Sequence, residues 1–349
     1  MRIVCGIGDA WCDTTEQQHK PCPVYLGPEL DGAASDLATQ GYTVLRELPH
    51  DGNFGCGALV GRHESDLKRV AIRLIQRGGN KSSDATAHSS GEIYKPSGSF
   101  KSCFLADNIE LLQSLRHENL IKMHEFFVTR GHLAVVAEYC ENGDLAHLVA
   151  HRKAGFLIEP VSRRYFKQIF QAMEYLHHNN IAHRDVKCSK FVVSRNNVLK
   201  LCDLGTAVLY KDGDPLLTDT KCGSPGYRAP ELLSNFPYDP RRVDMWAMGV
   251  LLYYMATGLI PYHGQPNIPV KLSFPNGDVL NLSRELKQLL QGLLTHNSEL
   301  RFTLNRVRNS PWLCKADDGV YIGNFFRVRQ PEKVRTSAKE TKLKRELHI

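Results

Sequence analysis

His183-Arg184-Asp185-Val186-Lys187 decides the reading of this chain, together with two runs that follow it, Lys200-Leu201-Cys202-Asp203-Leu204-Gly205 and Gly226-Tyr227-Arg228-Ala229-Pro230-Glu231. One such run says little, because Asp185 or Asp203 could be an ordinary surface charge. Three in this order say much more, and the chain around them sorts into two halves. On the N-terminal side, Tyr42-Thr43-Val44-Leu45, Ala58-Leu59-Val60 and Val70-Ala71-Ile72-Arg73-Leu74-Ile75 are short apolar runs joined by turns, the pattern of an antiparallel meander. Leu105, Ile109, Leu112 and Leu115 recur at helical steps, and residues 133–139 form another strand. Closer to the decisive runs, helices dominate. Phe166, Ile169, Phe170, Met173 and Leu176 make one apolar face, with Lys167, Gln168 and Gln171 on the other. A small strand-rich lobe before a larger helical one is an α+β, bilobal arrangement.

Composition excludes several classes. The 349 residues are 42% hydrophobic and 23% charged, too apolar for a disordered chain and too polar for a membrane bundle. The 44 basic and 37 acidic residues leave a net charge of +7, a mild excess, and no nucleic-acid partner is expected. The most apolar region, 243–261, carries Asp244, two glycines and two tyrosines, and falls short of the ~20 residues of a bilayer span. It reads as a buried helix, with no membrane association. Asp9 interrupts the N-terminus before an apolar stretch develops, so no signal peptide is expected. None of the ten cysteines forms a CxxC pair, and Cys5, Cys12 and Cys22 match no common metal spacing. Free thiols in a reducing compartment follow, with the cytoplasm as the expected location. Residues 1–40 hold Pro21, Pro23 and Pro28 without a clear period and read as a flexible leader. Residues 77–100 read as an inserted loop, and 330–349, with six Lys/Arg against three Glu, as a solvated tail.

The order and spacing of the three runs resemble the protein-kinase signature: an HRD catalytic loop, a DFG-type metal motif and an APE motif. Asp244-Met245-Trp246-Ala247-Met248-Gly249 is similar to the helix that anchors the catalytic loop from below, and Arg301 fits the arginine that pairs with Glu231. The resemblance implies a kinase domain over 41–312, with an N-lobe at 41–136, a hinge at 137–140, a C-lobe at 141–312 and a basic tail at 313–349. Lys187 and Gly223-Ser224-Pro225 mark the Ser/Thr class. Gly41-Tyr42-Thr43-Val44, Lys187-Cys188 and Cys222-Gly223-Ser224 are similar to the calmodulin-kinase-like group, especially testis-specific serine kinases. ATP and Mg²⁺ are the implied cofactors, and a protein substrate or scaffold partner the implied partner.

Phosphoryl transfer spreads negative charge over the moving oxygens, so cations must surround it and a carboxylate must orient the attacking hydroxyl. The resemblance gives Asp185 the carboxylate role, sets Lys187 beside the transferring group and gives Asp203 the metal. Gly52 and Gly55 would let backbone approach the phosphates. Ala71 and Val192 would cover the two faces of adenine. Glu138, Tyr139 and Cys140 would form the hinge, and Asp144 would reach the ribose. Thr218 and Thr220 fall in the activation segment, where a phosphate on Thr220 would lie within reach of Arg184. Ser224 is expected to hydrogen-bond Asp185 and Lys187.

The departures weigh as much as the matches. Arg73 stands where the family has the strand lysine, and a planar guanidinium is no substitute for a compact ammonium. The helix glutamate that should pair with it falls on Asn108; Glu110 lies about 200° round a helix from there and Asp107 about 100°. Lys190 replaces the asparagine that ligates a second metal, and a cation cannot do so. Its ammonium either repels the metal and disables the site, or sits on the phosphates and replaces part of the metal's charge. His50 and Gly57 further erode the phosphate-covering loop, and Leu204 is a mild change from Phe. Two functions follow. The chain is a Ser/Thr-kinase-family protein with impaired transfer that acts by nucleotide-dependent or scaffold binding, or it is an active kinase with reorganised phosphate contacts.

Overall fold

The computed structural model describes residues 31–48, 58–65, 67–76, 104, 108–129, 132–210, 218–234, 236–262, 272–275 and 281–316. Gly52 and Gly55, His50, Gly57, Asp107, the expected loop at 77–100 and the tail from 317 onward lie outside the described residues.

Period-two alternation of apolar side chains builds the first of two compact units. Strands β1 (Tyr42–Glu47), β2 (Ala58–His63), β3 (Arg69–Gln76), β4 (Met123–Val128) and β5 (His132–Glu138) form one sheet in the order β1-β2-β3-β5-β4. The first two pairings are antiparallel, as the meander predicts, with Ala58 opposite Arg73 and Val60 opposite Ala71. On β3, Val70, Ile72 and Leu74 share one face while Ala71 and Arg73 take the other. The first face is buried with Tyr42, Leu59, Ala134 and Val136, and is closed by Ala33 and Leu37 of helix α1 (Asp31–Thr39). The leader expected over 1–40 is corrected here: its last residues are a docked helix, and Leu37 is fully buried. Ala33 and Leu37 are one helical turn apart, so a single short stripe suffices.

The second unit holds α2 (Ile109–Ser114), α3 (Leu145–Ala150), α4 (Glu159–His178), α5 (Pro240–Thr257), α6 (Arg284–Leu293), α7 (Leu304–Arg308) and α8 (Pro311–Cys314). Two small antiparallel ladders join them, β6 (Ile181–Ala182) with β9 (Val208–Leu209) and β7 (Phe191–Val193) with β8 (Leu199–Leu201). The units divide between Ala137 and Glu138, inside the expected hinge. The described residues from Phe104 to His124, the first two residues of β4 included, however, belong to the second unit and not to the first lobe. The reason is local: Leu120 bridges Leu201, and the Asn119 amide donates to the Leu199 carbonyl at 2.9 Å.

Helices α4 and α5 form the core of this unit. Phe166, Ile169, Phe170, Met173 and Leu176 of α4 are buried, the face the sequence predicts, and Val161 and Tyr165 are buried with them. The apolar run expected as a buried helix is α5, buried nearly all round. Its start is fixed by the Asp239 carboxylate, which accepts from Arg241 N, and by Pro240 in the first turn. Its end requires Gly258, at φ 73°, where a Cβ would stand 2.3 Å from the Gly155 carbonyl. Among the described residues, no helix is long and apolar enough to cross a membrane.

Candidate active site

The loop between β6 and β7 carries His183, Asp185, Lys187 and Lys190, and Asp244 of α5 holds it from inside the unit. One Asp244 oxygen accepts from His183 N at 2.8 Å and His177 Nε2 lies 2.8 Å away; the other accepts from Arg184 N at 2.7 Å. Arg184 sits at φ 67°, a conformation that costs a non-glycine residue about 1–3 kcal/mol and persists only where neighbours fix it. Besides the Asp244 contact, its guanidinium donates to the carbonyls of Thr206 at 2.6 Å and Ala207 at 3.3 Å. Thr206 Oγ1 donates to the His183 carbonyl at 3.0 Å. His177 and Thr206 are functional supports the sequence reading did not single out. His177 could have been found as a polar residue directly following Leu176 on the buried face of α4.

Asp185 and Asp203 are both buried. Asp185 Oδ1 accepts from Ser224 N and from Ser224 Oγ, each at 2.8 Å, and Lys187 Nζ donates to the same hydroxyl at 2.6 Å. The contact expected of Ser224 is therefore present. Gly223, at φ 96°, lets this segment pass the Arg184 carbonyl, which a Cβ would approach to 3.0 Å. Asp185 Oδ2 faces two ammonium groups, Lys187 Nζ at 3.6 Å and Lys190 Nζ at 3.8 Å. Asp203 Oδ1 accepts from Gly205 N at 2.9 Å, and Asp203 Oδ2 accepts a hydrogen bond from Lys190 Nζ. Buried Asp185, Asp203 and Lys190 and the partly buried Lys187 thus form one cluster in which two carboxylates meet two ammonium groups. Chemically it can orient a hydroxyl at Asp185 and present cations beside it.

Burial pulls the Lys187 ammonium below the usual lysine range; Asp185 opposes that shift and Lys190 adds to it. Burial also lowers His183, whose Nδ1 accepts from Asp185 N at 3.1 Å, so its proton rests on Nε2. That atom has no partner among the described residues.

The remaining expected site residues are distributed as follows. In the first unit, Ala71 and Arg73 stand on the β3 face opposite the packed one. In the second unit, Val192 lies on β7 and bridges Asp144. One Asp144 oxygen caps α3 by accepting from His147 N at 2.8 Å. Glu138 accepts from Lys122 N at 2.7 Å and pairs with Lys200 at 2.9 Å. Burial pushes the Cys140 thiol up to about 12, so it stays protonated at neutral pH. Asn108 does not lie within a helix: it is the N-cap residue of α2, and its amide donates to the Phe104 carbonyl at 3.0 Å. The angles counted round a helix from Asn108 are corrected accordingly. Thr220 is exposed, and its carbonyl accepts from the Tyr238 hydroxyl. Glu231 and Arg301 pair through two hydrogen bonds, at 2.6 and 2.8 Å, as expected.

With the strand sheet, the Asp244-held loop and the Glu231–Arg301 pair in place, comparison with known proteins gives the class. Residues 51–313 match the protein kinase domain, and the chain belongs to the protein kinase family. The relatives are Ser/Thr kinases of the calmodulin-kinase-like group. The chain is 30% identical over 290 residues to serine/threonine-protein kinase SIK1 of Rattus norvegicus, covering 81% of this chain and 34% of that one. It is 32% identical over 288 residues to serine/threonine-protein kinase SRK2G of Arabidopsis thaliana, covering 78% and 73%. It is 34% identical over 220 residues to sperm motility kinase 3A of Mus musculus, covering 61% and 42%. The match thus spans about a third of SIK1 and most of SRK2G.

The family in general uses ATP with Mg²⁺ and acts on proteins. The residues present here do not fit the metal. Asp203 would be its ligand, yet one oxygen of Asp203 takes a backbone N–H and the other takes the Lys190 ammonium. A divalent ion there would meet a buried cation at close range, a repulsion of several kcal/mol per pair of unit charges.

Proposed function

We propose that this protein is a Ser/Thr-kinase-family component of phospho-signalling whose phosphoryl transfer is impaired and which acts by nucleotide-dependent or scaffold binding. The observation that carries this reading is the Lys190 ammonium on Asp203, with Asp185 3.8 Å away. Arg73 and Asn108 support it, because neither supplies the charge its position has in active relatives. In this reading Ala71, Arg73, Glu138, Cys140, Asp144, Lys190 and Val192, with Gly52 and Gly55, serve the nucleotide, while Asp185 and Lys187 would face the acceptor. The protein works in the cytoplasm and is kin to testis-specific serine kinases. Its similarity to mouse sperm motility kinase 3A supports that kinship.

The test is transfer of radiolabelled phosphate from ATP, by the full chain and by Asp185→Asn, to itself and to a mixed protein substrate. We expect the two chains to be indistinguishable. A rate for the unaltered chain about 10²-fold or more above Asp185→Asn would establish catalysis and overturn the reading.

One set of contacts favours the active alternative. Ser224, Asp185 and Lys187 form a closed triangle, and the Glu231–Arg301 pair is intact. If the chain is an active but suboptimal kinase, Arg73→Lys combined with Asn108→Glu raises its transfer rate; with impairment centred on Lys190 it does not.

A further inference from the structure

A lysine on the metal-binding aspartate could be a passing surface contact, but three features fix this one. Lys190 closes the short 3₁₀ turn Cys188–Lys190, and its N–H donates to the Lys187 carbonyl at 3.0 Å. Its own carbonyl accepts from Cys202 N at 2.9 Å and lies 3.2 Å from Cys202 Sγ. The residue is therefore tied at its backbone to the residue directly before Asp203. The side chain is only 8% exposed, so the ammonium is held among protein groups and not in open water. The charge count adds a further constraint. With asparagine at this position, the cluster would carry one positive charge fewer, and Asp203 Oδ2 would lose the ammonium that now meets it. With Lys190 the two carboxylates meet two ammonium groups, and a divalent ion beside them gains less than it would without the Lys190 charge.

We infer that Lys190 is a built-in counter-ion that holds the cation position at Asp203, so that a nucleoside di- or triphosphate binds this chain free of divalent metal. The nucleotide half rests on the nucleotide-binding reading above; the metal half rests on the cluster alone. An ammonium suits both tasks. It is a compact point charge that pairs with carboxylate and phosphate oxygens alike, and unlike Mg²⁺ it brings no requirement for octahedral water.

The experiment uses the full chain and three variants, Lys190→Asn, Lys190→Met and Lys190→Arg. Free Mn²⁺ is titrated by electron paramagnetic resonance, and a fluorescent ADP analogue is titrated in EDTA and in excess Mg²⁺. Lys190→Met removes the charge without adding a ligand, so it still reports if Lys190→Asn fails to fold, and Lys190→Arg keeps the charge. We expect Lys190→Asn and Lys190→Met to bind Mn²⁺ at least about tenfold more tightly than the unaltered chain, with Lys190→Arg unchanged. We expect the unaltered chain to bind the ADP analogue with the same affinity, within about twofold, in EDTA and in Mg²⁺. Mn²⁺ binding by the unaltered chain as tight as by the variants, or by none of the chains, overturns the metal half. A requirement for Mg²⁺ overturns the nucleotide half. Absence of ADP-analogue binding in every chain removes the nucleotide reading itself while the Mn²⁺ result still stands, so the two failures are told apart.

Discussion

Glu231 and Asp203 are both largely buried carboxylates paired with a cation of the chain, and the two pairs are built differently. At Glu231 the partner is the planar fork of Arg301, which meets both carboxylate oxygens. The same guanidinium donates to the carbonyls of Arg242 at 2.7 Å and Thr295 at 3.0 Å and lies 5.1 Å from the Trp246 ring centroid. At Asp203 the partner is a point charge that meets one oxygen and stands near a second carboxylate. The first pair uses geometry as well as charge, and nothing smaller or less planar could replace it. The second uses charge alone. A substitution in the first should damage the fold, whereas one in the second should change what the site holds.

The largest expected effect breaks the first pair. Arg301→Ala strands Glu231, frees the carbonyls of Arg242, Thr295 and His296 and empties space beside Trp246, and should cost about 3–5 kcal/mol of unfolding free energy in urea titrations. A loss below about 1 kcal/mol would make this pair equivalent to an exposed salt bridge and erase the contrast.

The second pair calls for a cycle rather than a single change. Lys190→Met leaves Asp185 and Asp203 without the cation between them and should destabilise the chain. Adding Asp203→Asn should recover part of the loss, with a coupling energy of about 0.5–3 kcal/mol measured by the same titrations. Additive behaviour would mean that Lys190 and Asp203 are not partners in solution, which would remove both the comparison and the inference drawn from it.

The difference between the pairs also explains how much was legible in the sequence. Glu231–Arg301, Asp244 beneath the loop and Ser224 against Asp185 could all be expected, because the runs around them resemble the kinase signature and that resemblance assigns each its partner. Lys190 was legible as a misplaced charge but not in its aim. A flexible four-carbon stem reaches phosphates or carboxylates equally well, and only the turn Cys188–Lys190 settles the direction. Asn108 shows another limit. The spacing of Leu105, Ile109, Leu112 and Leu115 announces a helix without saying where it begins, and Asn108 at the N-cap makes no side-chain capping bond, its amide donating to the Phe104 carbonyl instead. Helix α1 offers a nine-residue sequence of mostly small side chains, too short to display a period, and tertiary packing on Tyr42 and Ile72 stabilises it. Strand β4, Met123–Val128, was missed because its exposed and half-buried residues do not alternate.

The smallest expected effect is a pH dependence at His183, in the loop of the second region: Asp244 binds its backbone and Asp185 N donates to its ring. The imidazole is fully buried, and burial lowers its pKa below the ordinary 6.5 although the carboxylates of Asp244, Asp185 and Asp203 oppose the shift; Lys190 reinforces it. The unfolded chain therefore takes up this proton at a higher pH than the folded one. Between the two values the unfolded state holds more protons, so stability rises with pH there. This contribution is complete above about pH 6.5 and is lost progressively as the pH falls towards the lower folded value, with a slope no steeper than about 1.4 kcal/mol per pH unit for one proton. Urea midpoints across this range should fall more steeply for the unaltered chain than for His183→Phe, which cannot take up the proton. His117, also lowered by burial, contributes equally to both curves and cancels in the difference. Identical slopes would place the acid sensitivity outside the loop, and a steeper fall in His183→Phe would mean that the ring is charged in the fold, its Nε2 proton held by one of the carboxylates that now balance the lysines.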